Sequence, residues 1–173
     1  MEESARLIAS YMREDRAAVG DGEWPEKVMI IRSLATLHSR LAFAFLLSVV
    51  GDKGEYDLAR IEALKALQLS EVNAWDRAIV ASTLVSILLH DDDPDVRNYA
   101  AITLEVFVES PEVFVAMRKV VLDPEEDVDL RYNAFAGIER LGPTEAAVAT
   151  LRGLLDDAEL KATASRVLRG WGQ

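Results

Sequence analysis

Apolar residues recur at helical spacing along most of the chain. In three places they surround one nine-residue pattern: apolar, Arg, two variable residues, Ala, three variable residues, apolar. The copies are Ala59 to Leu67, Val96 to Leu104 and Leu130 to Ile138, and a fourth from Leu160 to Leu168 carries Lys161 in the basic position. The basic residues stand at 60, 97, 131 and 161, so the steps are 37, 34 and 30 residues. That is the period of a stacked helical repeat rather than of a closed globule.

The five prolines mark where helices begin, because Pro is tolerated in the first turn and disfavoured further in. Asp93, Ser110 and Asp123, each directly before a proline, offer side-chain oxygens as N-caps. Periodicity and punctuation together predict about nine helices, near 2–18, 25–50, 55–69, 71–89, 94–109, 111–122, 126–141, 144–155 and 157–170. The second is long, and His38-Ser39-Arg40 is where it would break. Connections after residue 51 are short, which makes successive helices antiparallel neighbours. The expected fold is all-α, a right-handed solenoid of stacked antiparallel helix pairs in a single domain, 1–173. Residues 1–51 are expected to supply N-terminal capping helices and 52–173 the repeats.

Two turns extend the motif: Asp91-Asp92-Asp93-Pro94-Asp95-Val96-Arg97 and Asp123-Pro124-Glu125-Glu126-Asp127-Val128-Asp129-Leu130-Arg131. An acidic, proline-containing turn followed by apolar-Arg and an Ala-rich helix resembles the HEAT-repeat family, and more closely its short bacterial form, the HEAT-like repeat of phycobilisome lyases. The resemblance spans residues 55–170. It implies that the motif helices form an inner wall and that acids and arginines pair between adjacent repeats, giving Asp95, Arg97, Asp129 and Arg131 a structural role.

A helical wheel separates core from surface without the family. Val96, Ala100, Leu104 and Phe107 share one side, with Leu130, Ala134, Ile138 and Leu141 as their equivalents. The opposite side collects Ile61, Lys65 and Gln68, then Asn98, Ile102 and Glu105, then Tyr132, Ala136 and Glu139, and finally Ala162, Arg166 and Arg169. That row is the candidate contact surface, with Asn98, Ile102, Glu105, Tyr132 and Glu139 as partner-binding residues. Each acidic turn carries more carboxylates than one cap requires. Asp92, Asp93, Glu125 and Glu126 are therefore the electrostatic candidates.

The formal net charge of −11 opposes binding to a nucleic-acid backbone, so the expected partner is another protein, a basic one. Trp24, Trp75 and Trp171 are assigned to packing, Trp171 over the C-terminal end of the core, rather than to the groove of a HEAT-like DNA glycosylase. The longest apolar run, Leu41 to Val50 interrupted only by Ser48, is about half of a bilayer crossing, and Met1-Glu2-Glu3-Ser4 does not resemble a secretory signal. A cytoplasmic protein without a membrane partner is expected.

No cofactor or metal is expected either. The chain has no cysteine, only His38 and His90 as histidines, and no His-Glu dyads of the kind found in HEAT-type di-iron hydroxylases. The run from Asp91 departs from a calcium loop at Pro94 and Ile102. Neither a nucleophile motif nor a phosphate-binding glycine loop is present, and no enzyme is expected. These readings converge on a non-enzymatic protein-binding module. One specific form is an immunity or antitoxin-type inhibitor of a basic toxin such as a nuclease, and the resemblance offers another, a subunit or chaperone of a bilin-lyase-like assembly.

Overall fold

The computed structural model describes residues 2–14, 25–69 and 74–173, apart from the side chains of residues 69, 74 and 75. They form ten α-helices: α1 (Glu2–Tyr11), α2 (Glu26–Ala35), α3 (Arg40–Gly51), α4 (Asp57–Leu69), α5 (Ala74–His90), α6 (Pro94–Leu104), α7 (Pro111–Leu122), α8 (Val128–Arg140), α9 (Glu145–Arg152) and α10 (Lys161–Gly170). No strand occurs among the described residues.

The long second helix expected from the sequence is two helices. His38 adopts φ +45°, which ends helical propagation, and the Ser39 hydroxyl accepts the Ala42 N–H to start α3. The same hydroxyl meets Ser4 Oγ at 2.7 Å, fastening the break to α1. The predicted segments 15–18 and 71–73 lie outside the described residues.

Capping fixes the other boundaries. Asp93 accepts the N–H groups of Asp95 and Val96, and Asp127 does the same for Asp129 and Leu130. The cap of α8 is thus Asp127 rather than Asp123, and Pro124 belongs to the turn. Ser110 precedes α7 without a side-chain cap bond. Beyond Leu104 the backbone tightens into a 3-10 turn at Glu105–Phe107. Arg77 of α5 secures that turn by donating to the Val106 carbonyl at 2.6 Å and lying over the Phe107 ring.

Consecutive helices pair as α1/α2, α3/α4, α5/α6, α7/α8 and α9/α10. The even-numbered helices α2, α4, α6 and α8 pack one on the next in a row, and α1, α3, α5 and α7 form a second row behind them. α2 thus stands in the same row as the motif helices. One apolar core runs without interruption from Tyr11 to Leu168.

Seven of the eight predicted core residues in α6, α8 and the 3-10 turn are buried, and Leu141 is half-buried against the cluster. Tyr11 meets Phe45 edge to face at 5.1 Å, joining α1 to α3. Gly137 admits the Met117 side chain so closely that a Cβ there would stand 2.3 Å from its Sδ. Trp171 is half-buried over the last part of the core, as its position in the chain suggested. Trp24 and the Trp75 side chain lie outside the described residues.

Candidate functional site

The motif arginines form a ladder along the edge where the odd-numbered helices end. Arg60, Arg97 and Arg131 each stand in the first turn or so of an even-numbered helix. Each Nε donates back to a carbonyl near the end of the preceding helix: Val50 at 3.1 Å, Leu88 at 2.9 Å and Val121 at 3.2 Å. Those carbonyls have no intrahelical donor left, so the guanidinium supplies one. The far side of each guanidinium then reaches forward into the next turn, pairing with Asp91, Glu126 and Asp157 respectively.

This corrects the pairing expected from the sequence. Arg97 and Arg131 do not use Asp95 and Asp129, which sit exposed in the first turns of α6 and α8. Glu126, taken from the sequence as a docking acid, is a rung of the ladder with its side chain 19% exposed.

Sequence reasoning missed the first rung. Lys27 of α2 is buried and its ammonium meets Glu55 at 2.7 Å. It stands 33 residues before Arg60, one repeat length, but Ile30 follows where the motif has Ala, so the pattern alone passed over it.

The ladder carboxylates are held ionised. For Glu55, Asp91 and Asp157, burial pushes the carboxyl up, and the facing Lys27, Arg60 or Arg131 together with backbone N–H donors outweighs it, leaving each below the ordinary carboxylate range. For Glu126 the hydrogen bond from Arg97 is the largest influence, and the direction is again downward.

Across the even-numbered row, the exposed faces are stitched by side chains. Arg32 Nε meets Glu62 at 2.8 Å, and the Lys65 ammonium lies 4.8 Å from the centre of the Tyr99 ring. Gln68 donates to the Ile102 carbonyl at 3.3 Å, and Asn133 donates to Asn98 Oδ1 at 3.0 Å. Ile61 does not belong to this face: it is buried, because α4 packs against α2 and α3 as well as α6. Asn98 is occupied between α6 and α8. Ile102, Glu105, Ala136 and Glu139 are half-buried, and Ala162, Arg166 and Arg169 lie exposed along α10.

Tyr132 is the most exposed aromatic residue on the row, at 40%, and its hydroxyl donates to the Glu159 carbonyl at 3.2 Å. That bond sets its ring against the acidic turn at 156–159. The sequence-predicted face and the sequence-predicted edge meet at this residue.

The acids of the turns divide by task. Asp91, Glu126 and Asp157 hold the arginines, and Asp93, Asp127 and again Asp157 cap the next helical segment. Asp92 is 90% exposed at its side chain, touched only from outside by Lys53 at 2.8 Å. Among the described residues, the carboxylates of Asp95, Glu125, Asp129, Asp156 and Glu159 have no structural partner and lie toward solvent. They are the surplus.

Glu105 has the opposite electrostatics. Burial raises its carboxyl above the usual range, and the charge of Arg140 only partly opposes this. A raised folded-state value means that its contribution to stability is full below about pH 4 and is lost as pH rises through that value. Glu105→Gln should therefore stabilise the protein at neutral pH, with the gain vanishing near pH 4. Urea titrations of both proteins at the two pH values check this, and an equal midpoint at pH 7 counts against it. A cation delivered by a partner would relieve the same penalty.

A cleft of about 370 Å³ opens between the ends of α3 and α5 on the odd-numbered side, lined by Lys53, Ser82, Thr83, Ser86 and His90 among others. Among the described residues, no three His, Asp or Glu side chains are grouped as a metal site requires, and no helix is long and apolar enough to cross a membrane.

A double row of antiparallel helix pairs, laced by an arginine in each of three successive repeats, defines an α-solenoid. The model of the HEAT-repeat family matches residues 81–169, a little over half of the chain, and the chain belongs to that family. No match was found among curated proteins or solved structures. HEAT repeats generally serve as scaffolds for protein–protein interaction and are generally not catalytic.

Proposed function

We propose that the chain is a non-enzymatic binding protein for a partner with a basic surface, engaged where the even-numbered row meets its acidic edge. The observation that carries this reading is Tyr132. Its exposed ring is flanked by Asp129 one turn earlier on α8 and by the 156–159 turn that its hydroxyl touches. A lysine or arginine side chain laid on that ring gains a cation–π contact and nearby carboxylates that no internal group uses. Ile102, half-buried on the adjacent α6, adds apolar contact. The unpaired acids Glu125 and Asp95, with Asp92 beside them along the edge, supply orientation and association rate more than affinity. Asn98 and Glu139 join this surface as polar contacts, and Glu126 and Asp93 support it from the ladder and the cap.

An inhibitor that occludes a basic enzyme such as a nuclease is the form of this reading with a single partner in equal amounts. The test is capture of partners by the tagged protein from its own cell lysate at low and high salt, with Tyr132→Ala and Glu125→Lys alongside. One basic protein retained at low salt, released at high salt and diminished by both substitutions is the expected result. Tyr132→Ala should leave the urea midpoint within about 1 kcal/mol of the parent, since its ring is not part of the core. Undiminished retention by Tyr132→Ala, or retention that survives high salt, would sink the proposal.

A further inference from the structure

The odd-numbered row presents its own face to solvent, and the ladder gives that face a register. Count back from the carbonyls that the arginines read, Val50, Leu88 and Val121. The residues nine, six and two positions earlier are solvent-facing in α3, α5 and α7 alike. In α3 they are Leu41, Ala44 and Ser48, and in α5 they are Ile79, Ser82 and Ser86. Six adjoining positions are thus uncharged in a chain whose net charge is −11. Leu41 and Ile79, 44% and 48% exposed, hold the same place in that register. In α7 the three positions are Glu112, Val115 and Lys119, with Val115 64% exposed and the two charges at opposite ends.

We propose that this face is where a second copy of the chain packs, face to face, with each odd-numbered helix antiparallel to its own counterpart. The charges choose that occupant. A two-fold axis lying across the three helices brings the outermost level of one copy onto the innermost level of the other, and the middle level onto itself. Glu112 then faces Lys119 of the second copy, and Lys119 faces its Glu112, so the pair is made twice. At the other side, Arg40, exposed at the start of α3, faces the carbonyl end of the second α3 and the exposed Asp52 just beyond it. Helix dipoles alone favour an acid at the start and a base at the end, as in α7. In α3 the order is reversed, and both orders are satisfied by an antiparallel mate. A net charge of −11 works against self-association through the acidic surfaces. Here the centre, Ala44, Ser82 and Val115, carries no charge at all.

Three helices about 9 Å apart, in contact over two to three turns, give a patch of about 500 Å² on each copy. The sum of about 1,000 Å² lies at the small end of specific interfaces, so the dimer is expected to be concentration-dependent, in the micromolar range. The even-numbered row faces away and remains free for another partner.

Sedimentation equilibrium of the full chain, from low micromolar to several hundred micromolar, reads the dimer directly. Lys119→Glu should weaken it by about tenfold, because both pairs become repulsive. Adding Glu112→Lys should restore it. Both positions are exposed on α7, and circular dichroism confirms that the fold is kept. Because the chain has no cysteine, Ser82→Cys is a clean probe: lying near the axis it meets its own copy, and mild oxidation should yield a covalent dimer. Glu145→Cys, on α9, should not. A monomer at every concentration overturns the proposal. So does a dimer indifferent to Lys119→Glu, or one not rescued by the double reversal.

Discussion

Arg60→Ala is expected to cost about 3–5 kcal/mol of folding stability, the largest effect of any single rung. The reason is isolation from water. The side chains of Arg60 and Asp91 are 4% and 3% exposed, so removing the guanidinium strands a buried carboxylate and leaves the Val50 carbonyl without its donor. The Arg97–Glu126 rung has side chains 20% and 19% exposed, and Arg97→Ala should cost less, about 1–3 kcal/mol, because water can take over part of the lost bonding. Urea unfolding measures both. A fall in melting temperature of about 10 °C should accompany Arg60→Ala in a chain of this length. Asp91→Ala added to it should recover part of the loss by removing the stranded charge. An Arg60→Ala protein within about 1 kcal/mol of the parent would remove the ladder from the account of this fold.

Stability should peak near pH 5 and then collapse as pH falls further. Three effects with known signs set that shape. Lowering pH from neutral toward the sequence pI of about 4.6 relieves the self-repulsion of a chain carrying −11, which raises stability. Protonation of Glu105, whose folded-state value is raised, adds in the same direction. The four ladder carboxylates work the other way. Glu55, Asp91, Glu126 and Asp157 have depressed folded-state values, so the unfolded chain binds protons first, and their contribution is present above the ordinary carboxylate range and lost below it. Below about pH 4 the ladder dominates, because its pairs are internal while the relief of surface repulsion is already spent. Urea midpoints from pH 8 to pH 2.5 trace the curve. A midpoint still rising below pH 4 would show that the ladder is not the leading electrostatic element.

How far the chain can be read without coordinates depends on how local each determinant is. Helix positions follow from period and punctuation, which act within a turn or two, and nearly all of them were legible on that basis. The break of the second helix falls at His38-Ser39-Arg40, where the sequence places it, while the left-handed φ of His38 that makes it has no periodic signature. The arginines were visible because they repeat. Their acids were not, because the 123–129 turn offers Glu125, Glu126, Asp127 and Asp129, all favourable near a helix start. Which one turns inward is set by the distance to Arg97 in three dimensions. Ile61 departs from the wheel of α4 for a related reason: α2 lies alongside α4 and the residue is buried. Tyr132 is exposed on α8, on the side that the wheel of that helix gives it. Its bond to the Glu159 carbonyl, which joins that face to the acidic edge, spans 27 residues and has no local signature.

The ladder also has a direction. Every rung is owned by one repeat and completed by its successor, so a cut ahead of a repeat leaves its base paired and takes the partner from its acid, as it would take Lys27 from Glu55. Stripping α1 and α2 from the front leaves Arg60 with its carbonyl and its carboxylate intact. Stripping residues 153–173 from the back leaves Arg131 reaching into empty space. The two ends of this molecule are therefore not equivalent as places to cut, fuse or splice. A repeat can be grafted onto its front without disturbing the rungs behind it, whereas an addition at its back must bring an acid to meet the last base in line, the exposed Lys161.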